Sequence, residues 1–210
     1  IEASFTNLDA TNMDKADFTM SSLLKAGYAF RYTSDSEHDG EYVEYAKRLA
    51  YGVSGVDVTI SHVKVVKCPH TKIGDDGHCA YCDATGFAAA VTKNGVTNAY
   101  TDLNAALSDA DGGTVKLLAD AGTMTVSSAL TLDLNGKNVS SLTVNAKATI
   151  IDSATTKGTI AKLIATGVTL GDLCEQGYGF KSTAGEWSDE FAASASSVRI
   201  AEAPIKSVTI

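Results

Sequence analysis

Leu130-Thr131-Leu132-Asp133-Leu134-Asn135-Gly136-Lys137 is the stretch on which the fold turns. Leu130, Leu132 and Leu134 recur at every second residue, the period of a strand with one side turned inward. Asn135-Gly136 then supplies turn chemistry. Working outward, short units of the same kind fill the region on both sides. Segments 114–118, 124–126, 142–144, 148–151, 159–163 and 168–170 each carry apolar or β-branched residues. Asp111-Gly112-Gly113, Asn145-Ala146 and Lys157-Gly158 separate them. Two architectures fit. Asn135-Gly136 as a hairpin turn favours a sandwich, whereas small polar strands at irregular spacing with few aromatics suit the narrow stack of a solenoid. The β-helix is favoured. The expected fold class is mainly β with a few short helices, built as parallel β-helix-like modules joined by a small Cys/His knuckle of zinc type.

Composition bounds the rest. The chain has 210 residues, a formal net charge of −8 and 44% hydrophobic residues. That apolar share excludes wholesale disorder and suffices for a real core. No apolar run has the length a membrane helix needs. The acidic balance argues against nucleic acid, because phosphate contacts require a basic face. With 2 Pro, 1 Trp, 6 Phe and 8 Tyr, the core is expected to consist mainly of aliphatics, alanine and threonine, which favours strands. Two helices are expected. One covers 101–110, capped by Thr101 or Asp102, with Leu103, Ala106, Leu107 and Ala110 on one stripe. The other covers 40–51, with Tyr42, Tyr45, Ala46 and Leu49 at helical spacing. Segment 56–67 alternates as a strand.

Self-comparison shows an internal repeat. Leu23-Leu24-Lys25-Ala26-Gly27-Tyr28-Ala29-Phe30-Arg31 matches Leu173-Cys174-Glu175-Gln176-Gly177-Tyr178-Gly179-Phe180-Lys181 at an offset of 150. Downstream the offset becomes 145, where Gly40-Glu41-Tyr42 matches Gly185-Glu186-Trp187, Ile60 matches Ile205, and Val63 and Val65 match Val208 and Ile210. The expected organisation is the C-terminal part of an upstream module over 1–67, a Cys/His knuckle over 68–86, and a second module over 87–210, a helix followed by β-helix-like strands. Units of that size suggest a tandem array, monomeric in each module, from which this chain is a section. Ile1 is not an initiator methionine, so any signal and anchor are expected outside it.

Between the modules stand Cys68-Pro69-His70 and Cys79-Ala80-Tyr81-Cys82. Zinc takes four tetrahedral thiolate or imidazole ligands, and two short pairs joined by the turn at Gly74-Asp75-Asp76-Gly77 supply Cys68, His70, Cys79 and Cys82. Two other pairings stay open: a Cys79–Cys82 disulfide, natural in an oxidising compartment, or a bond from Cys68 to Cys174. Cys174 stands where the first copy has Leu24, however, and reads as a small buried hydrophobe. A structural zinc is favoured. With all positions taken by protein ligands it would be closed and non-catalytic, and would rigidify the joint between modules.

Other residues offer less. His38 and His62 have no partner in sequence, and His78 reads as a solvated loop residue. The acidic run 35–39 lacks a calcium loop's ligand spacing. Asp133 and Asp152 form no interpretable pair and read as turn or surface residues. No phosphate loop, nucleophile elbow or Ser/His/Asp grouping is present, and no enzymatic activity is expected. Tyrosines concentrate between 28 and 51. Tyr28 recurs as Tyr178 and reads as core. Tyr32, Tyr45 and Tyr51 have no aromatic counterpart in the other copy and are the candidate partner-binding residues, tyrosine being favoured at interfaces; covering the apolar face of a helix is the competing role.

The Cys/His segment, followed by Tyr100-Thr101-Asp102-Leu103-Asn104-Ala105-Ala106-Leu107, then Gly113-Thr114-Val115-Lys116-Leu117-Leu118, then 130–137 and the Gly-Tyr-x-Phe-basic segment, resembles modular surface proteins of Gram-positive gut commensals. In overall organisation it most resembles their superantigen-like immunoglobulin-binding members, which grip antibody variable domains outside the antigen site. The resemblance implies β-helix-like modules, an extracellular, cell-wall-attached protein, no catalysis, and antibody variable domains as partner. It carries over no contact residues. A carbohydrate- or mucin-binding adhesin module and a plain spacer of a surface rod are the alternatives; the single Trp187, matched in the repeat by Tyr42, weakens the first.

Overall fold

The computed structural model describes residues 3–9, 20–34, 36–44, 59–165, 171–173, 179–182 and 198–201. The fold is mainly β with few short helices. It divides into two compact units, one of residues 1–74 and 78–85, the other of 75–77 and 86–210. Among the described residues no helix is long and apolar enough to cross a membrane.

The second unit begins with a hairpin. β4 (Ala89–Lys93) and β5 (Val96–Tyr100) pair antiparallel about Asn94-Gly95. A helix, α2 (Leu103–Asp109), follows, with Asp102 as its N-cap accepting from the Asn104 N–H at 2.9 Å. Ala106, Leu107 and Ala110 of the expected stripe are buried and Leu103 packs against them.

Seven strands come next: β6 (Thr114–Leu117), β7 (Ala121–Val126), β8 (Leu130–Asp133), β9 (Val139–Val144), β10 (Ala148–Ile151), β11 (Thr159–Ile160) and β12 (Leu163–Ala165). The chain alternates between two sheets. β6, β8 and β10 pair in parallel in one; β7, β9 and the β11/β12 pair do so in the other. Equivalent residues therefore stack. Val115, Leu132 and Ile150 are in register on one side, and Met124, Leu142 and Leu163 on the other, all buried. Val126, Val144 and Ala165 form a further column. Each such buried Val, Leu, Ile or Met contributes about 1.5–3 kcal/mol, and columns filled by aliphatic side chains leave little room for rings. This is the physical sense of the low aromatic content. Asn135-Gly136 does take the positive φ values of a hairpin turn, 48° and 71°, but it joins β8 to β9, which lie in different sheets. It turns a corner.

That corner is polar and buried. Asp133 Oδ1 accepts from Asn135 N–H and Ser153 N–H, each at 2.9 Å, and its Oδ2 accepts from Ser153 Oγ at 2.7 Å. Asn135 Nδ2 donates to Leu117 O at 2.9 Å. Asp152 Oδ1 accepts from Gly136 N–H (2.9 Å) and Ala154 N–H (3.1 Å), and Oδ2 from Gly158 N–H (2.7 Å). Both carboxylates thus belong to turns, as expected, but inside the protein: Asp133 is 5% exposed and Asp152 0%. Gly158 is required there, since a Cβ would collide with the Lys137 backbone carbonyl. Nearer the surface, Asp120, Asn138 and Thr159 continue from one turn to the next: Asn138 N–H donates to Asp120 Oδ1 at 2.8 Å and Thr159 Oγ1 to Asn138 Oδ1 at 2.7 Å.

In the first unit β1 (Ala3–Asp9), β2 (Tyr28–Tyr32) and β3 (Thr59–Lys67) form an antiparallel sheet in the order β1-β3-β2, with α1 (Met20–Lys25) before β2. The second unit ends in the same arrangement: β13 (Gly179–Ser182) pairs antiparallel with β14 (Val198–Ala201), which pairs with β11. Phe30 faces Val65 and Arg31 faces Lys64; Phe180 faces Ile200 and Lys181 faces Arg199. The returning strands therefore match at an offset of 135, so Val65 corresponds to Ile200 and not to Ile210 as the sequence repeat suggested. Val63-Lys64-Val65-Val66 and Val198-Arg199-Ile200-Ala201 share a basic residue between apolar ones, a weak pattern that self-comparison passed over. The expected helix over 40–51 is not formed at its start, where Tyr42 bridges to Arg31 beside β2; 45–51 lie outside the described residues, as does the expected strand over 168–170.

One column position tests the corner. Asp152 follows Ile151 as Leu134 follows Asp133 and Leu117 follows Lys116 in the paired strands, so by stacking alone leucine belongs at 152. Asp152→Leu is expected to destabilise the protein by about 3 kcal/mol or more, because three backbone N–H groups lose their acceptor. Denaturant titration measures it, and a neutral or stabilising result would contradict the role given to this carboxylate.

Candidate metal centre

Cys68 follows directly on β3, and its N–H donates to Gly27 O at 3.0 Å. The chain then turns at His70, which takes a positive φ of 51°. Cys79 is brought back by a tight reversal: Ile73 and Cys79 form a bridge, Gly74 N–H donates to His78 O at 2.9 Å and Ala80 N–H to Lys72 O at 2.8 Å. The second pair is tied to the unit by Asp83 N–H donating to Leu24 O at 3.3 Å. The expected ligand set is assembled. One ligand atom from each of Cys68, His70, Cys79 and Cys82 lies within 4.8 Å of the others. Cys68 Sγ is 3.5 Å from Cys79 Sγ, and Cys82 Sγ is 3.6 Å from His70 Nδ1. None of Cys68, Cys79 and Cys82 is in a disulfide, which sets aside the Cys79–Cys82 bond; Cys174 lies outside the described residues.

The surroundings suit sulfur anions. Tyr81 N–H points at Cys79 Sγ and Ala84 N–H at Cys82 Sγ, both at 3.4 Å, and the His70 N–H stabilises the anion of Cys68. Each cysteine thus meets an amide two residues on, which favours the thiolate. The thiols also compete. Hydrogen bonds from Cys68 and then Cys82 hold Cys79 far below the ordinary thiol range. The same bond to Cys79, the one to Cys82 and burial push Cys68 far above it. The opposed shifts arise because thiols packed side by side each favour or oppose a neighbour's anion. A divalent ion among the four atoms removes that conflict by replacing the protons.

Two contacts that the sequence did not disclose steady the knuckle. The ring of Tyr81, between two ligands, stacks on Tyr42 with centroids 4.9 Å apart and planes at 27°, and the Arg31 guanidinium lies 5.9 Å from the Tyr42 centroid. Lys72 pairs with Glu44 at 2.5 Å. Tyr42 and Tyr81 are separated by 39 residues of chain, and no local pattern announces the pairing.

The remaining candidates are dispersed. Tyr32 lies half-buried in β2 with its ring 5.4 Å from that of His38, which sits beside Glu41 at 3.2 Å. Tyr45 and Tyr51 lie outside the described residues. His78 is exposed. Tyr28 is half-buried under the Lys67 ammonium, 4.3 Å from its centroid. Compared with protein-family models, with curated proteins and with solved structures, the chain matches none.

Metal binding must displace thiol protons, so affinity is expected to fall as pH is lowered, acid favouring the protonated ligands. Titration of the reduced chain with a divalent ion in weak buffer should release protons and shield Cys68, Cys79 and Cys82 together from a thiol reagent. Unchanged thiol reactivity in saturating metal would exclude the centre.

Proposed function

We propose that the chain is a non-catalytic, protein-binding section of a bacterial surface protein, made of parallel β-helix-like modules, the first of which is finished by a structural zinc. The observation that carries this reading is the convergence of four protein ligand atoms within 4.8 Å. Zinc–sulfur bonds of about 2.3 Å give tetrahedral edges of about 3.8 Å, close to the 3.5 and 3.6 Å separations in the cluster. A three-sulfur, one-nitrogen set is typical of closed zinc sites and leaves no position for a substrate or an activated water. Every oxygen of Asp133 and Asp152 is engaged by hydrogen bonds that hold turns together, so these carboxylates serve structure. The parallel, in-register stacking of β6, β8 and β10 and of β7, β9 and β12 supports the β-helix reading.

The partner proposed is an immunoglobulin variable domain, bound outside the antigen site. It rests on the resemblance to superantigen-like surface proteins, and Tyr32, Tyr45 and Tyr51 are offered as contacts. Immobilised chain is expected to retain many unrelated antibodies irrespective of their antigen, and antibody fragments that keep the variable domains equally well. No retention from a polyclonal pool would overturn the partner while leaving the zinc reading intact. Metal analysis of protein purified without added zinc, expected to give one zinc per chain, decides the latter.

A further inference from the structure

The dipeptide Asn-Gly occurs twice among the described residues, at 94–95 and 135–136. Both copies have positive φ at both residues: 52° and 77° at the first, 48° and 71° at the second. Sequence and backbone are thus nearly the same, and the surroundings differ in every respect that governs side-chain chemistry. Asn-Gly is the sequence in which the asparagine carboxamide carbon is most open to attack by the next backbone nitrogen, because glycine puts no side chain in the way.

At 135–136 both reacting groups are occupied. The Asn135 amide nitrogen donates to Leu117 O at 2.9 Å, and the Gly136 nitrogen, which would be the nucleophile, donates to Asp152 Oδ1 at 2.9 Å. Asn135 is buried, and backbone and side-chain atoms of Thr156 and Ala154 crowd Gly136. The base that must deprotonate the nitrogen, hydroxide, has no access, and a neighbouring carboxylate opposes forming the nitrogen anion. At 94–95 Asn94 is exposed, nothing lies within 4 Å of where a Gly95 Cβ would stand, and the turn closes a hairpin whose outer strand, β5, is the sheet edge.

We infer that Asn94 is a site of spontaneous, selective deamidation and that Asn135 is shielded from it. The Gly95 nitrogen, deprotonated by hydroxide, bonds to the Asn94 side-chain carbonyl carbon; the carbon–nitrogen bond of the carboxamide breaks and ammonia leaves. Water then opens the five-membered imide at either carbonyl, giving aspartate or isoaspartate. Water is consumed, ammonia is released, and no oxidant or reductant takes part. The product adds one negative charge to a chain already at −8. Where isoaspartate forms, it also puts an extra methylene into the main chain of a two-residue turn whose geometry sets the β4–β5 register. The change falls on the turn that leads into the edge strand β5, so the stacked core is spared and the modification marks the protein's age without unfolding it.

Peptide mapping by mass spectrometry tests this on the whole chain, incubated in mildly alkaline buffer either folded or in denaturant. In the folded protein conversion at Asn94 is expected to exceed that at Asn135 by about a hundredfold, since the buried site reacts only from opened states. In denaturant the two rates converge, because the dipeptides are then equivalent. Comparable conversion of both sites in the folded protein, or faster conversion at Asn135, overturns the inference. So does a folded chain that leaves Asn94 intact over a period in which the denatured chain converts both.

Discussion

Asp152 accepts three backbone N–H groups from three different places in the chain, Gly136, Ala154 and Gly158. The corner it holds is the point where the chain leaves one sheet and enters the other. Such corners are the difficulty of a stacked parallel fold: strands satisfy their own amides through neighbours, but residues between sheets do not, and here they are buried. A carboxylate with four lone-pair sites is the densest acceptor a side chain provides, and an anion accepting from neutral amides makes stronger bonds than a neutral oxygen does. Asp133 and Asn135 do the same in the turn before. The aliphatic columns then need only the right volume, because their register is fixed at the corners.

The first unit solves a related problem by other means. Its described core comprises a few residues from α1, β2 and β3 together with Val43, Cys68, Cys79 and Cys82. After β3 the chain makes a short excursion with no regular structure, and a segment so poor in apolar residues cannot hold itself by burial. Three sulfurs and an imidazole converge there, and a metal ion held among them would take over that task. Packed side by side, the thiols shift Cys79 down and Cys68 up. The four ligand atoms lie close enough to hold a metal ion.

Much of this was legible in the residues. The strands around 114–151 announced themselves by alternation, the helix over 103–109 by its stripe and its Asp102 cap, and the four ligands by paired spacing. All these signals act within a few residues. The hairpin at 89–100 carries an equally local signal, Asn94-Gly95 between two β-rich runs, and there the flanking strands do pair with each other. At Asn135-Gly136 the same signal misled: the dipeptide reports two positive φ values, and whether the strands beside it pair with each other depends on contacts it does not encode. Burial of Asp133 and Asp152, and the stacking of Tyr42 on Tyr81, depend on residues brought from far along the chain and had no local trace.

The two copies of the β2–β3 pairing show why the ligand set is found where it is. With Val65 equivalent to Ile200, Cys68-Pro69-His70 aligns by sequence with Ala203-Pro204-Ile205, which lie outside the described residues, and the cysteine and histidine beside the first proline have no counterpart in that triplet. Proline after a strand ends its hydrogen bonding and fixes the direction of exit, and Pro69 stands in that place just after β3. The difference lies in what the returning strand rests on. β14 pairs with β11, itself joined to β9 and the columns beneath it, whereas β3 pairs with β1 in a three-stranded sheet. Beside the narrower described sheet of the first unit the sequence places cysteine and histidine, and a metal ion held by them would supply what burial supplies in the stack.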